Sequence, residues 1–407
     1  MSNNKNYVGP LVIIGILFFV FGFITWVNAV LIPFFQKAFD LNNTSAYLVT
    51  FAFYITYIIM AIPSTWVLKK VGFKRGMSVG LFVMALGALI FIPAVRAESY
   101  ELFLVGLFVI ATGLTTLQTA SNPYVTILGP IESAAQRISV MGIANKVAGI
   151  IGQKVLGGLL LVSGTAAAAT LTRGQQLEKV VVPYMAIAAV LAVLGVAVWL
   201  MKGLPEVEEE EDGAQKETGV KKSIWGHPNL VLGLLALFFY VGAEVIAGDS
   251  IIAYGISQGF PEEQAKDFGT YTLWLMLVGY VLGIFLIPKY VSQGTWLKYS
   301  AIFGIIATLG AVFTNGFTSV LCIASLGLAN AIMWPAIWPL ALDGLGKHTK
   351  LASALLVMMI SGGAILNSSY ALLSDSLGST QKAYWLVVPL YVFVFWYAAI
   401  GHKKKSW

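Results

Sequence analysis

The chain has 407 residues, of which 58% are hydrophobic and only 11% charged. Soluble domains carry about 25% charged residues, so this composition excludes a soluble enzyme, a nucleic-acid binder and a disordered protein. A net charge of +6 then has to be explained by where the lysines and arginines stand.

A bilayer core takes about 20 apolar residues per helical span. In chain order, apolar runs between charges and turn residues predict twelve spans. They cover roughly 10–35, 45–68, 75–95, 101–127, 137–163, 181–201, 229–255, 267–288, 296–314, 317–342, 351–374 and 383–400. The first follows a short polar stub. It is too long for a signal peptide and has no small-residue cleavage site, so it reads as a membrane helix. Between spans 6 and 7 lies the longest polar stretch, Lys202 to His227, with acids from Glu206 to Asp212 and then Lys216, Lys221 and Lys222. Acidic and basic runs of this kind cannot bury apolar area and read as a solvated linker. The expected organisation is a six-helix bundle at 1–201, a cytoplasmic linker at 202–228 and a second six-helix bundle at 229–407.

With the N-terminus placed in the cytoplasm, 17 of the 25 Lys and Arg fall on the inner side and 6 on the outer side. The two others, Lys146 and Lys154, fall within span 5. This bias predicts that both termini are cytoplasmic. It also makes the basic pI a topology signal and removes the case for a nucleic-acid partner.

The two halves read as repeats. Phe18-Phe19-Val20-Phe21-Gly22 in span 1 resembles Phe238-Phe239-Tyr240-Val241-Gly242 in span 7. Asn122-Pro123 lines up with Trp334-Pro335, and Ser139 and Gly149 line up with Ser353 and Gly363. Repeats of this kind place a substrate site near the midplane between the halves.

Ionisable residues inside a span are costly, and four stand there: Lys146, Lys154, Glu244 and Asp249. At ~1.5 Å per residue from the cytoplasmic end, Lys146 lies about 14 Å deep, Glu244 about 22 Å, Lys154 about 26 Å and Asp249 about 30 Å. Glu244 is thus near the midplane and Asp249 near the outer edge, where simple contact with water is the alternative to a functional role. Lys146 and Lys154, eight residues apart, can share a broad face. A carboxylate with a lysine counter-charge suits substrate or proton binding; a buried pair that merely locks helices is the alternative. Six side-chain amides also sit inside spans: Asn28, Gln118, Asn122, Asn145, Asn330 and Asn367. An amide both donates and accepts, which suits sugar hydroxyls, although such groups also join helices in membranes. Trp334 and Trp338 lie one turn apart beside Pro335 and Pro339. They suit stacking on a pyranose ring or packing round a broken helix, while Trp26 and Trp274 read as aromatics near span ends.

Other classes lack their residues. Cys322 is the single cysteine and the three histidines are scattered, so neither a disulfide nor a metal centre is expected. No phosphate-binding loop is present for an ATP-driven pump.

Leu117-Gln118-Thr119-Ala120-Ser121-Asn122-Pro123-Tyr124 in span 4 and Val27-Asn28-Ala29-Val30-Leu31-Ile32-Pro33 in span 1 resemble the fucose–galactose–glucose:proton symporter family of the major facilitator superfamily. Tyr240-Val241-Gly242-Ala243-Glu244 looks like its glucose/galactose branch, and Lys69–Arg75 is similar to the superfamily's basic loop between spans 2 and 3. The resemblance covers the whole chain. It implies an all-α membrane protein with twelve transmembrane helices in two pseudo-symmetric six-helix bundles, in a bacterial inner membrane. The chain departs from the family at two coupling positions, where the fucose-permease pattern has acids and this sequence has Ala29 and Gln118. On the repeat offset, Ala29 corresponds to Asp249 and Ile24 to Glu244, which reads as a transfer of the acids to the second half.

The expected function is import of a monosaccharide, a hexose such as glucose or galactose, by alternating access with proton coupling. Asn28, Gln118, Asn122, Asn145, Glu244, Asn330, Trp334, Trp338 and Asn367 are the candidate substrate contacts, and Glu244, Asp249 and Lys146 the candidates for ion coupling. No cofactor or metal is expected, and the partners are a sugar, a proton or sodium ion, and lipid around a monomer. A uniporter, a sodium-coupled carrier, a carrier of amino or N-acetyl sugars, and a non-transporting sugar receptor stay open as alternatives.

Overall fold

A computed structural model describes residues 8–127, 134–161, 171–201, 224–287, 289–345, 348–404 and 406–407. Most of the expected linker lies outside these residues. Among them every regular element is helical, as hydrocarbon requires, because only a helix satisfies its backbone groups within one segment.

The helices run α1 (Gly9–Phe39), α2 (Asn43–Val71), α3 (Phe73–Arg96), α4 (Tyr100–Ile127), α5 (Ala134–Leu160), α6 (Arg173–Leu200), α7 (Pro228–Ser257), α8 (Glu262–Leu286), α9 (Gln293–Phe313), α10 (Gly316–Leu342), α11 (Leu351–Leu377) and α12 (Thr380–Lys403). Eleven are long and apolar enough to cross a membrane. The twelfth, α5, has the length at 27 residues but carries Arg137, Lys146, Gln153 and Lys154, which lower its hydropathy. It faces protein as well as lipid, so it tolerates the charges.

Helix starts follow local sequence. Asn42 accepts a hydrogen bond from the Ser45 N–H at the start of α2, and Ser292 accepts from the Thr295 N–H at α9. Thr172 and Gln175 form a reciprocal capping pair at α6. Each cap satisfies backbone donors that the helix leaves open. Gly378 ends α11 with φ 58°, a left-handed conformation that costs glycine nothing.

Packing repeats between the halves. In the first half α1 lies against α5, and a Cβ on Gly22 would stand 1.8 Å from the Asn145 carbonyl oxygen. In the second half α7 lies against α11, and a Cβ on Gly242 would stand 2.1 Å from Leu366 Cδ1. These two glycines are the last residues of the Phe-Phe repeat, so the sequence match marks matching helix crossings. Between the halves, α2 runs beside α11 and α5 beside α8, while the second segment of α1, Asn28–Phe39, packs on α7. The outward faces are apolar, with Val182, Val193 and Leu200 of α6 all largely exposed. That is the surface lipid needs.

Candidate functional site

Three helices, α1 and α5 of the first half and α7 of the second, place polar groups on one another in the middle of this bundle. Lys146 on α5 points its ammonium at Glu244 on α7, with Nζ to Oε1 at 3.3 Å. Their side chains are only 8% and 13% exposed, so the pair is held away from water. Tyr240, one turn before Glu244 and on the same face, donates its hydroxyl to Oε2 at 2.8 Å. Trp26 on α1 completes the cluster. Its ring centroid lies 4.1 Å from the Lys146 ammonium, and its Nε1–H donates to Asn145 Oδ1 at 3.0 Å. The Trp26 carbonyl accepts from Gln153 Nε2 at 2.9 Å. A cation so enclosed is held by one carboxylate and one aromatic face.

Asp249, five residues beyond Glu244, faces elsewhere. It is fully buried, which rules out the alternative that an acid near the outer edge simply reaches water. The reason is tertiary: α2 and α11 close over this part of α7. Its Oδ2 accepts from the Thr50 hydroxyl of α2 at 3.0 Å, and Tyr47 and Tyr54 stand near it. Its Oδ1 has no hydrogen-bond partner among the described residues. Lys154 does not share the Lys146 environment, as one broad face would allow. Its side chain is half exposed and pairs with Asp267 at 2.5 Å.

The amides divide into groups. Asn28 and Asn367 are fully buried, and both polar atoms of each side chain lack partners among the described residues. Asn145 is committed to Trp26, with its Nδ2 also directed at the Phe18 carbonyl at 3.5 Å. Gln118 is half-buried and interacts with the Tyr57 hydroxyl. Asn330 accepts from the Tyr391 hydroxyl at 2.9 Å, inside the second half, while its Nδ2 is unpartnered. Asn122 stands on α4, and its side chain falls outside the described residues. Trp334 and Trp338 are half-buried and stack on each other, with centroids 5.2 Å apart and planes inclined by 29°.

Tyr240, Thr50, Gln153 and the central place of Trp26 were not evident in the sequence. Helical spacing carried a signal for two of them. Tyr240 is four residues from Glu244, its hydrogen-bond partner, and Gln153 is seven from Lys146, which puts it on the face of α5 that Lys146 presents to Trp26. Nothing in the spacing marked Thr50.

At the end of the bundle where α2 begins, further polar groups join the halves. Asp375 at the end of α11 accepts from the backbone N–H groups of Asn43 and Thr44, at 3.2 and 2.7 Å. It also accepts from their side chains, at 2.8 and 2.5 Å. Lys37 of α1 meets Glu262 of α8 at 2.9 Å. A cleft of about 630 Å³ lies over these groups.

A helical membrane bundle whose two halves meet on a buried charge pair is the architecture of a solute transporter. Residues 14–368 match the Major Facilitator Superfamily, and the chain belongs to that family. It is 36% identical over 407 residues to the glucose/galactose transporter of Brucella abortus (strain 9-941), covering 99% of this chain and 96% of that one. It is 30% identical over 422 residues to the L-fucose-proton symporter of Escherichia coli K12, covering 100% and 96%. Among solved structures, the E. coli fucose:proton symporter FucP superposes with a TM-score of 0.75 at 28% identity, over 98% of this chain and 100% of that chain. These relatives are transporters, not enzymes.

Proposed function

We propose that the chain imports a monosaccharide, a hexose such as glucose or galactose, by alternating access coupled to a proton. One observation carries this reading: the Lys146–Glu244 pair joins the two halves in a buried position, and Asn28 and Asn367 bury side-chain amides that have no hydrogen-bond partner among the described residues. Leaving a buried polar group unsatisfied costs about 1–3 kcal/mol, so the open amides of Asn28 and Asn367 favour a polyhydroxyl ligand over helix packing alone. The names of the relatives, which are carriers of glucose, galactose and fucose, support the substrate class.

In this reading residues 1–201 and 229–407 are the two moving halves and 202–228 tethers them on the cytoplasmic side. Asn28, Gln118, Asn122, Asn145, Asn330 and Asn367 offer donors and acceptors to hydroxyls, and Trp334 and Trp338 offer an apolar face to the ring. Glu244 is the proton carrier. A proton on its carboxylate removes the charge that holds Lys146, and the two halves lose their central electrostatic tie. Asp249 is a second acidic group for ion coupling, because Thr50 of the opposite half is its hydrogen-bond partner. The chain resides as a monomer in a bacterial cell membrane with both termini cytoplasmic.

Uptake of labelled hexoses into reconstituted vesicles under imposed gradients tests the reading. The expected result is accumulation driven by an inward proton gradient and lost in Glu244→Gln. Accumulation driven by sodium alone would replace the proton, and full proton-driven accumulation by Glu244→Gln would remove Glu244 from coupling. A thermal-shift series of hexoses, fucose, amino sugars and N-acetyl sugars identifies the substrate, since a ligand that binds only the folded state raises its melting temperature.

A further inference from the structure

Trp26 lies where α1 is interrupted, at the end of its first helical segment, Val8–Trp26. The side chain is 3% exposed and occupies a slot between two glycines. A Cβ on Gly149 of α5 would stand 2.7 Å from Trp26 Cδ1, and a Cβ on Gly248 of α7 would stand 2.5 Å from Trp26 Cζ3. Both distances are far below carbon contact, so no larger residue fits either wall with the indole in place.

The two walls belong to different halves. On the side of its own half the residue is fastened four times. Its Nε1–H donates to Asn145, its carbonyl accepts from Gln153, its ring lies against Gly149, and its face holds the Lys146 ammonium. All four partners are on α5. The indole therefore travels with α5 and Lys146 when the halves move. Its contact with Gly248 exists only while the halves are together. Gly248 is one turn beyond Glu244, so seating the indole against Gly248 also sets the height at which the ammonium meets the carboxylate.

We infer that Trp26 is a positioning residue that makes the Lys146–Glu244 contact conditional on closure of the halves, with Gly248 as the notch that receives its indole. The word closure rests on the transport reading. The notch itself does not, and the test is built on it. The charged and titratable groups around this contact are Lys146 from α5, Glu244, Tyr240 and Asp249 from α7, Tyr54 from α2, Tyr280 from α8 and Tyr391 from α12.

The experiment measures thiol labelling in the full-length chain, in detergent and without sugar. Cys322 is replaced by Ser, and one cysteine is placed at Ala253, which is 9% exposed and lines the cleft between the halves. Gly248→Ala should raise the labelling rate at Ala253 about ten-fold, because overpacking of this size costs the closed state on the order of 1.4 kcal/mol. Adding Trp26→Phe removes the ring carbon that the new methyl meets and should bring the rate back to within about two-fold of the parent. An unchanged rate in Gly248→Ala overturns the inference, and so does failure of Trp26→Phe to reverse it. If Gly248→Ala does not fold, Trp26→Phe alone in sugar uptake is the second arm. Its pH profile should shift from the parent's, and the shift should vanish in a Lys146→Met background; a profile identical to the parent's overturns the positioning role. Failure of vesicle uptake with intact labelling results would remove the transport reading and leave the notch standing.

Discussion

Asp375 holds Thr44 through two hydrogen bonds, one from the backbone N–H at 2.7 Å and one from the hydroxyl at 2.5 Å. The two residues belong to opposite halves, 331 positions apart. A carboxylate from α11 thereby caps the start of α2, where the open N–H groups and the helix dipole favour negative charge. This is an N-cap supplied by another part of the chain, and it exists only when this end of the bundle is closed. Asp375→Ala should destabilise the closed arrangement by about 1 kcal/mol, the typical worth of an N-cap. Exposure of buried Ala253, read by cysteine labelling, should rise accordingly. Asp375→Asn keeps the geometry and should fall between. Labelling of both variants at the parent rate would show the cap to be dispensable.

The Lys146–Glu244 pair predicts an asymmetry in stability. Removing one partner of a buried pair leaves an uncompensated charge and costs about 3–5 kcal/mol, whereas replacing both by apolar groups is often near neutral. Glu244→Gln and Lys146→Met should each lower the detergent melting temperature by several degrees. The double variant Lys146→Met/Glu244→Leu should recover most of the loss while transporting nothing. Additive losses in the double variant would show that the two charges do not stabilise each other.

Asp249 offers a separate test of coupling. Asp249→Asn keeps an acceptor for the Thr50 hydroxyl but can no longer take up a proton. Exchange of labelled for unlabelled sugar across vesicles needs no net proton movement, while accumulation does. The expected outcome is that Asp249→Asn keeps exchange and loses most gradient-driven accumulation. Accumulation at the parent level would reduce Asp249 to a packing role, held in place by Thr50.

Two glycines predict opposite effects of the same methyl group. Gly22→Ala would put a carbon 1.8 Å from the Asn145 carbonyl, forcing α1 and α5 apart at a cost on the order of 3 kcal/mol or more. A Cβ on Gly158, at the far end of α5, meets nothing within 4 Å, and alanine is the better helix former by up to about 1 kcal/mol. Folded yield by fluorescence-detected size exclusion should fall sharply for Gly22→Ala and hold or rise for Gly158→Ala. Equal yields would mean that the α1–α5 crossing is looser than the geometry requires.

The sequence by itself determined the architecture, since membrane insertion is decided by local composition. A run of about 20 apolar residues spans hydrocarbon as a helix that satisfies its own backbone groups, so the span expected at 75–95 appears as Phe73–Arg96 and that at 229–255 as Pro228–Ser257. The same logic exposed Lys146 and Glu244, because an ionisable group stands out in an apolar run whatever it touches. What each of them touches depends on which helix faces meet, and that is a tertiary matter. Only the structure decided that Lys146 reaches Glu244 while Lys154 turns to Asp267, and that α2 and α11 enclose Asp249 with Thr50 as its partner. Trp26 shows the limit most clearly. Its composition and position fit an ordinary aromatic near a span end, and its central place arises from Gly149 and Gly248, which lie 123 and 222 residues away along the chain. Two absent side chains on distant helices make the slot, and no local pattern in the sequence records it.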